Sequence, residues 1–355
     1  MLASNRRGLY LILMTILVIL SFGMVTTIGV ADISFVDTYR IIGSRLPFIK
    51  QYITPDWSSG HENIVLYLRL PRALLSLMVG SALSLAGVTY QGLLRNPLAD
   101  PFTIGVSSGA AVGASLFMLI RTGIIPAVGH LGVIPETFGL PGFSFIFGML
   151  SLWIVYSLAS VEGRVPPVTL LLAGVVVSSF LSALISFMMM VAGESMQGLF
   201  FWISGGFNLA SWQHVWILAP YVILSGIVIF YFARDLNIIL LGEESATYLG
   251  VSVETVKKIL LVTASLLTAA SVSVSGMIGF VGLIVPHAAR LMIGPDHKYL
   301  VPGAFMMGAV ALPWMDVMAR MLLGGAEIPV GIVTAFVGAP FFLLLLKQRR
   351  QDYFF

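Results

Sequence analysis

Few side chains in this sequence could do chemistry, and their grouping says more than their types. Charged residues are 10% of 355, and cysteine is absent, which removes thiol nucleophiles, disulfides and iron–sulfur ligation. The five histidines, at 61, 130, 214, 287 and 297, have no metal-ligand spacing, and there is no H-E-x-x-H or aspartate-rich prenyltransferase motif. No G-x-x-x-x-G-K-[ST] occurs and no lysine follows a glycine, so the chain has no phosphate-cradling loop of its own. No catalytic residue, metal ligand or resident cofactor is expected, and the chain does not read as an enzyme. Two polar groups remain on an apolar background. One is LLGEESATYLGVSVETVKK, residues 240–258. Here Gly242 can end a helix, Glu243 and Glu244 suit the positive end of a new short one, Gly250 ends that, and Ser252 caps a further start. Two short helices in an L would make a rigid lever at a membrane surface; the plainer alternative is a solvated linker. The other group is Arg69, Arg72 and Arg320, whose planar forks suit bidentate pairing with carboxylates. Their plainer alternatives are an Arg320–Asp316 pair one helical turn apart, and headgroup anchoring by Arg69 and Arg72.

The elements that must carry these residues are membrane spans. With 58% hydrophobic residues and a mean hydropathy of +0.99, the chain cannot be a soluble globular domain, where about a quarter of residues are charged. Apolar runs predict ten transmembrane helices in a single all-α domain, 1–355. They lie at Gly8 to about Val30, Ala73–Leu94, Phe102–Ile120, and about 142–161, 167–192, 212–233, 257–275, 277–293, 299–319 and 328–346. The first run is too long for a signal peptide. Residues 31–68 and the Gly- and Pro-rich 121–141 are polar connections that belong outside the bilayer. Pro97 and Pro101 stop any continuous helix between spans 2 and 3 and fold them into a hairpin. Placing the N-terminus inside puts twelve of the Lys and Arg residues on the inner side and seven outside, as the positive-inside rule favours; both termini are then cytoplasmic. The basic residues are scattered singly between apolar runs, which excludes a nucleic-acid surface. Spans 2 and 3 weakly repeat in spans 7 and 8, and an offset of five spans inverts the second copy, a transporter habit. Ionisable residues are absent from the centres of the predicted spans, where a proton- or sodium-coupled carrier often buries one.

RLPR, then AG followed by Q and NPLA, then GVSSGAAVG, occur in the order shown by the permease subunits of type II ABC importers. GFVGLIVPHAARLMIGPDHKYLVPG (Gly279–Gly303) and AEIPVGIVTAFVGAPFF (Ala326–Phe342) agree with them. From about residue 66 to its end the chain resembles this family, which takes up vitamin B12, haem, ferric siderophores and related metal chelates. The resemblance implies that Gly242, Glu243, Glu244, Ala246, Leu249, Gly250 and Val251 belong to a coupling segment that docks in a cleft of a separate ATPase. It implies that Arg69, Arg72 and Arg320 accept glutamates of a periplasmic or lipid-anchored substrate-binding protein. It implies further that two permease copies pair, with substrate passing along spans 5 and 10 and a short helix within Met196–Phe207. Phe200 and Trp202 would face the ligand there, although an aromatic stripe equally suits packing. Asn96, Pro97 and Leu98 match the positions that close the inner end. The partner constriction departs from the pattern, since PPVT stands where the vitamin B12 permease has small hydroxylated residues.

The reading that follows is a homodimeric permease of the cytoplasmic membrane, worked by two ATPase subunits that bind the ATP and magnesium. Its cargo is expected to be a metal chelate: iron–siderophore or haem first, cobalamin next, an oxyanion such as molybdate third. The rival is an ATP-independent secondary carrier; a membrane-embedded enzyme is weaker still.

Overall fold

Apolar runs broken by proline and glycine have one stable outcome in lipid, because every backbone polar group must be satisfied within its own segment. The computed structural model follows that rule. It describes residues 2–125, 134–162, 164–193, 196–323 and 326–349, and among them only an isolated bridge, Val161 to Arg164, is not helix, turn or coil. The helices are α1 (Leu2–Thr27), α2 (Phe35–Gly43), α3 (Ser59–Asn63), α4 (Leu70–Leu93), α5 (Val106–Arg121), α6 (Glu136–Ala159), α7 (Pro167–Val191) and α8 (Met196–Ile203). They continue as α9 (Trp212–Tyr231), α10 (Ala233–Ile239), α11 (Glu243–Tyr248), α12 (Val253–Ser275), α13 (Val281–Ile293), α14 (His297–Met321) and α15 (Val330–Arg349). Seven are long and apolar enough to cross a membrane, and α5, α13 and α15 are shorter apolar helices at predicted spans 3, 8 and 10.

The centre of the bundle is α4, packed against α14, α12, α13 and α9. Lipid supplies no hydrophobic drive between helices, so close backbone approach has to do the work. A methyl group at Gly80 would overlap the carbonyl of Gly308, and one at Gly87 that of Gly282. The most apolar helices, α1 and α7, are the least covered, as lipid-facing helices should be.

Several span ends differ from the sequence reading. Span 2 begins at Ser59, not Ala73, because α3, a π-helical stretch at Ile64–Arg69 and α4 form one continuous helix. Pro71 would clash with a carbonyl of the preceding turn, and the wider π geometry absorbs it. Residues 59–68 are therefore helix, not polar connection. Span 4 starts at Glu136 and carries Pro141 inside it. Spans 3 and 8 start late, at Val106 and Val281, each behind a residue in the left-handed region: Gly105 (φ 88°) and Phe280 (φ 66°). These breaks stand at corresponding places in the two halves, and the second reaches into the bundle. A Cβ at Gly282 would lie 2.9 Å from Pro101 and 3.0 Å from the carbonyl of Leu83.

Candidate functional site

At the end of the bundle where α4 begins, the three arginines converge. Arg72 donates to Asp316 through Nε (3.0 Å to Oδ2) and Nη2 (2.8 Å to Oδ1), and through Nη1 to Glu327 (3.0 Å). Arg320 Nε pairs with Asp316 Oδ2 at 3.1 Å, and its Nη1 donates to the carbonyl of Ile28 (3.1 Å). Arg69 donates to the carbonyls of Thr27 (2.7 Å) and Ala31 (2.5 Å). The carbonyls that α1 leaves unpaired at its C-terminal end are thus met by guanidiniums from two other helices. Asp316 is fully buried, Arg72 and Arg320 nearly so, and the Glu327 side chain is 37% exposed. A buried carboxylate holds two cations, and a more accessible one shares the first of them. The Arg320–Asp316 pair weighed from the sequence is present; headgroup anchoring by Arg69 and Arg72 is not, because both side chains turn into the protein.

At the other end α9 leads through α10 to a small outcrop. Gly242 (φ 123°) is the N-cap of α11, Glu243 and Glu244 fill its first turn, and Gly250 (φ 85°) follows it. Such backbone angles suit glycine. Ala246 is fully buried and Val251 nearly so, fastened by the bond from Val251 N to the Ala246 carbonyl (3.0 Å). Leu241, Tyr248 and Leu249 are 70%, 92% and 63% exposed. The second start at Ser252 is not a separate short helix. It opens α12 itself, and the Ser252 hydroxyl makes no capping bond. The pair of short helices is α10 and α11.

Beside this outcrop lies the connection from α4 to α5. Asn96 Oδ1 accepts from Leu98 N (2.9 Å), Asp100 Oδ1 accepts from Phe102 N (3.1 Å), and Leu98 is exposed. Pro97 is partly buried between them. Burial pushes the Asp100 carboxyl up to about 6, partly offset by the bond from Phe102. The PPVT stretch comes to the same end, where Val165 and Pro167 meet Leu93, Leu94, Glu254 and Lys257 around a small cavity. Of the aromatic pair, Phe200 is exposed on α8, while Trp202 packs against the buried clusters that contain Phe117 and Ile185 and lines a cavity of about 290 Å³ with Asn208 and His214. Next to the end of α8, at Ile203, an open hollow of about 580 Å³ is walled by Ser204, Met277, Gly331 and Phe336.

The comparisons join these parts. The pattern of the FecCD transport family matches residues 12–348. The chain belongs to that family. It is 43% identical over 286 residues to the cobalamin import system permease protein BtuC of Halobacterium salinarum, covering 81% of this chain and 74% of that one. It is 34% identical over 349 residues to the Fe(3+)-citrate import system permease protein YfmD of Bacillus subtilis, covering 98% and 97%. The hemin transport system permease protein HmuU of Yersinia pestis is 38% identical over 292 residues, covering 81% and 85%. A solved inward-facing structure of a transporter assigned to the metal-chelate ABC type superposes with a TM-score of 0.77 at 30% identity, covering 95% of this chain and 98% of that one. This FecCD protein is accordingly a membrane-spanning permease of the kind found in ABC importers.

Within that frame, the structure brings Arg69, Arg72 and Arg320 into one cluster and Glu243 beside the Asn96–Leu98 turn. It separates Phe200 from Trp202, one facing outward and the other inward. Sequence reasoning named Asp316 only beside Arg320 and missed that Asp316 and Glu327 are the internal partners of Arg72, which lie 244 and 255 residues away along the chain. It also missed Asn237 and Arg95. Arg95 carries a weak signal, since it is the sole basic residue inside the hairpin break.

Proposed function

We propose that this FecCD permease forms the conduit of an ATP-driven importer as a homodimer in the cytoplasmic membrane, with α11 and both termini on the cytoplasmic side. Two ATPase subunits dock on α10–α11, and a periplasmic or lipid-anchored binding protein delivers a metal chelate at the Arg72 end. The observation that carries the reading is the α11 outcrop. Three large apolar side chains, Leu241, Tyr248 and Leu249, stand exposed on a polar tip whose base is pinned by Ala246 and Val251. A rigid, apolar-tipped knob outside the bilayer is what a protein cleft recognises. The hollow beside α8 and α15 supports pairing of two copies, since it is open on one side and apolar. At the opposite end Arg72 is the docking cation a partner carboxylate can reach, by replacing the accessible Glu327, while Arg69 and Arg320 hold the end of α1 in place. The cargo is a metal chelate, with iron chelate, haem and cobalamin all represented among the names of the relatives. The deciding experiment is co-purification of the permease with a co-expressed ATPase subunit from the same organism, for the parent and for Tyr248→Ala combined with Leu249→Asp. Loss of the ATPase from a normally folded permease supports the reading. Undiminished association, or uptake into proteoliposomes without internal ATP, overturns it in favour of a secondary carrier.

A further inference from the structure

The outcrop and the gate turn are described above as separate sites, yet the structure ties them together at three points. The first is Gly92, in the last turn of α4. A Cβ there would lie 3.2 Å from Leu236 Cδ2 on α10 and 2.9 Å from His297 Nε2 at the start of α14, so both helices press directly on α4. The second is Asn237, also on α10, whose side-chain amide is used on both atoms. Its Nδ2 donates to Asp296 Oδ1 (2.8 Å), and its Oδ1 accepts from the His297 backbone N and ring Nδ1 (each 2.9 Å). This fixes the imidazole against Gly92 and fastens α10 to α14. The third is an ion pair between Arg95 Nη2 and Glu243 Oε1 at 3.9 Å, with Lys257 Nζ 3.2 Å from the same oxygen. Arg95 is a non-glycine residue in the left-handed region (φ 47°) and ends α4 immediately before Asn96. Gln91 meanwhile binds the Leu283 carbonyl (3.2 Å) and receives Arg290 Nη2 (3.1 Å), so the same turn is also held by α13.

The geometry points to a joint made by Asn237, His297 and Gly92, backed by Glu243 and Arg95, that delivers displacement of α10–α11 straight to the end of α4 and so to the 94–100 turn. Asn237 and His297 are positioning residues in it: neither touches cargo, and each sets where another group stands. A packed contact with a doubly bonded amide has one arrangement, so a push on α11 reaches the turn without first tilting the whole bundle. The inference rests on the reading of α10–α11 as the docking segment, but the joint itself is testable without any partner.

The test uses the full chain in lipid nanodiscs, with amide exchange followed over residues 94–100. Asn237→Ala and, separately, Glu243→Arg are expected to raise exchange there at least fivefold while α7 and α9 keep their parental protection. The double variant Arg95→Glu with Glu243→Arg is expected to return it to within twofold of the parent. Unchanged exchange in both single variants overturns the inference. A rise spread evenly over α7 and α9 overturns it too, since it would assign these residues to general stability. In the assembled transporter Asn237→Ala should retain ATP hydrolysis within twofold and lose at least tenfold of cargo uptake; parallel loss of both would show that the joint does not transmit. Failure of the exchange test leaves the docking proposal standing, whereas undiminished ATPase association after the Tyr248 and Leu249 changes would sink docking and leave the joint.

Discussion

Replacing Asp316 by asparagine should be among the most damaging single changes of charge in this protein. The carboxylate is fully buried and neutralises two guanidiniums, with 2.8 Å and 3.0 Å contacts to Arg72 and 3.1 Å to Arg320. In Asp316→Asn, Arg72 keeps Glu327 as a contacting counter-ion, but Arg320 loses the one carboxylate it touches among the described residues and keeps the backbone carbonyls of Ile28 and Asp316. Removing one partner of a buried ion pair costs about 3–5 kcal/mol, most of it for the charge left behind. Glu327→Gln removes a carboxylate from the same Arg72, yet that side chain is 37% exposed, and a pair so hydrated is worth about 1 kcal/mol or less. The ratio of the two effects is therefore the sharp quantity. Thermal unfolding in one detergent, read by scattering and tryptophan fluorescence, should place Asp316→Asn on the order of 10 °C below the parent. Glu327→Gln should fall within a few degrees of it. The combination Asp316→Asn with Arg320→Gln should recover part of the loss, because it removes the cation that Asp316 leaves unpaired. Equal destabilisation by Asp316→Asn and Glu327→Gln would refute the assignment of Asp316 as the cluster's buried counter-ion.

Three further outcomes are expected. Gly87→Ala puts a methyl group onto the Gly282 carbonyl at the tightest crossing of α4 and α13, so it should cost several kcal/mol and lower the yield of monodisperse protein, whereas Gly142→Ala, with open space around it, should not. Asp100→Asn should stabilise the permease at pH 7.5 and match it near pH 4. Protonation of a carboxyl held at about 6 against an ordinary 3.8 favours the fold fully below 3.8, and this contribution is lost as pH rises through about 6, which sets a ceiling of about 3 kcal/mol. Arg69→Lys keeps the charge but cannot span the carbonyls of both Thr27 and Ala31, so thermal stability should fall by about 1–3 kcal/mol with the fraying, seen by amide exchange, confined to the end of α1.

The existence and order of the spans were legible because lipid imposes length and apolarity on each one. Their ends were less so. Residues 59–68 read as polar connection because SGHEN opens them and Pro71 follows; only the π geometry of the intervening turn makes them helix. The late starts of α5 and α13 depend on φ at Gly105 and Phe280, and no periodicity reports a left-handed phenylalanine. The glycine punctuation of α11 was legible because Gly242 and Gly250 flank a run too short and polar to span. The neighbours of the arginines were not, except Asp316 beside Arg320 at i, i+4. Contacts 244 and 255 residues apart are products of the tertiary fold, and the same holds for Asn237 with His297 and for Arg95 with Glu243.

The position of α4 has a consequence for how the chain is made. Its apolar stretch is 89% buried and only moderately apolar, with Ser76, Ser81, Ser84 and Thr89 all hidden from the surface. Ribosomes nevertheless emit it second among the spans, long before α12, α13 and α14 exist to cover those hydroxyls. Early biogenesis must therefore shelter it, beside α1 or within the insertion machinery, and it takes up its final surroundings only when the C-terminal half arrives. The most interior piece of the permease is thus one of the first synthesised and one of the last to be settled.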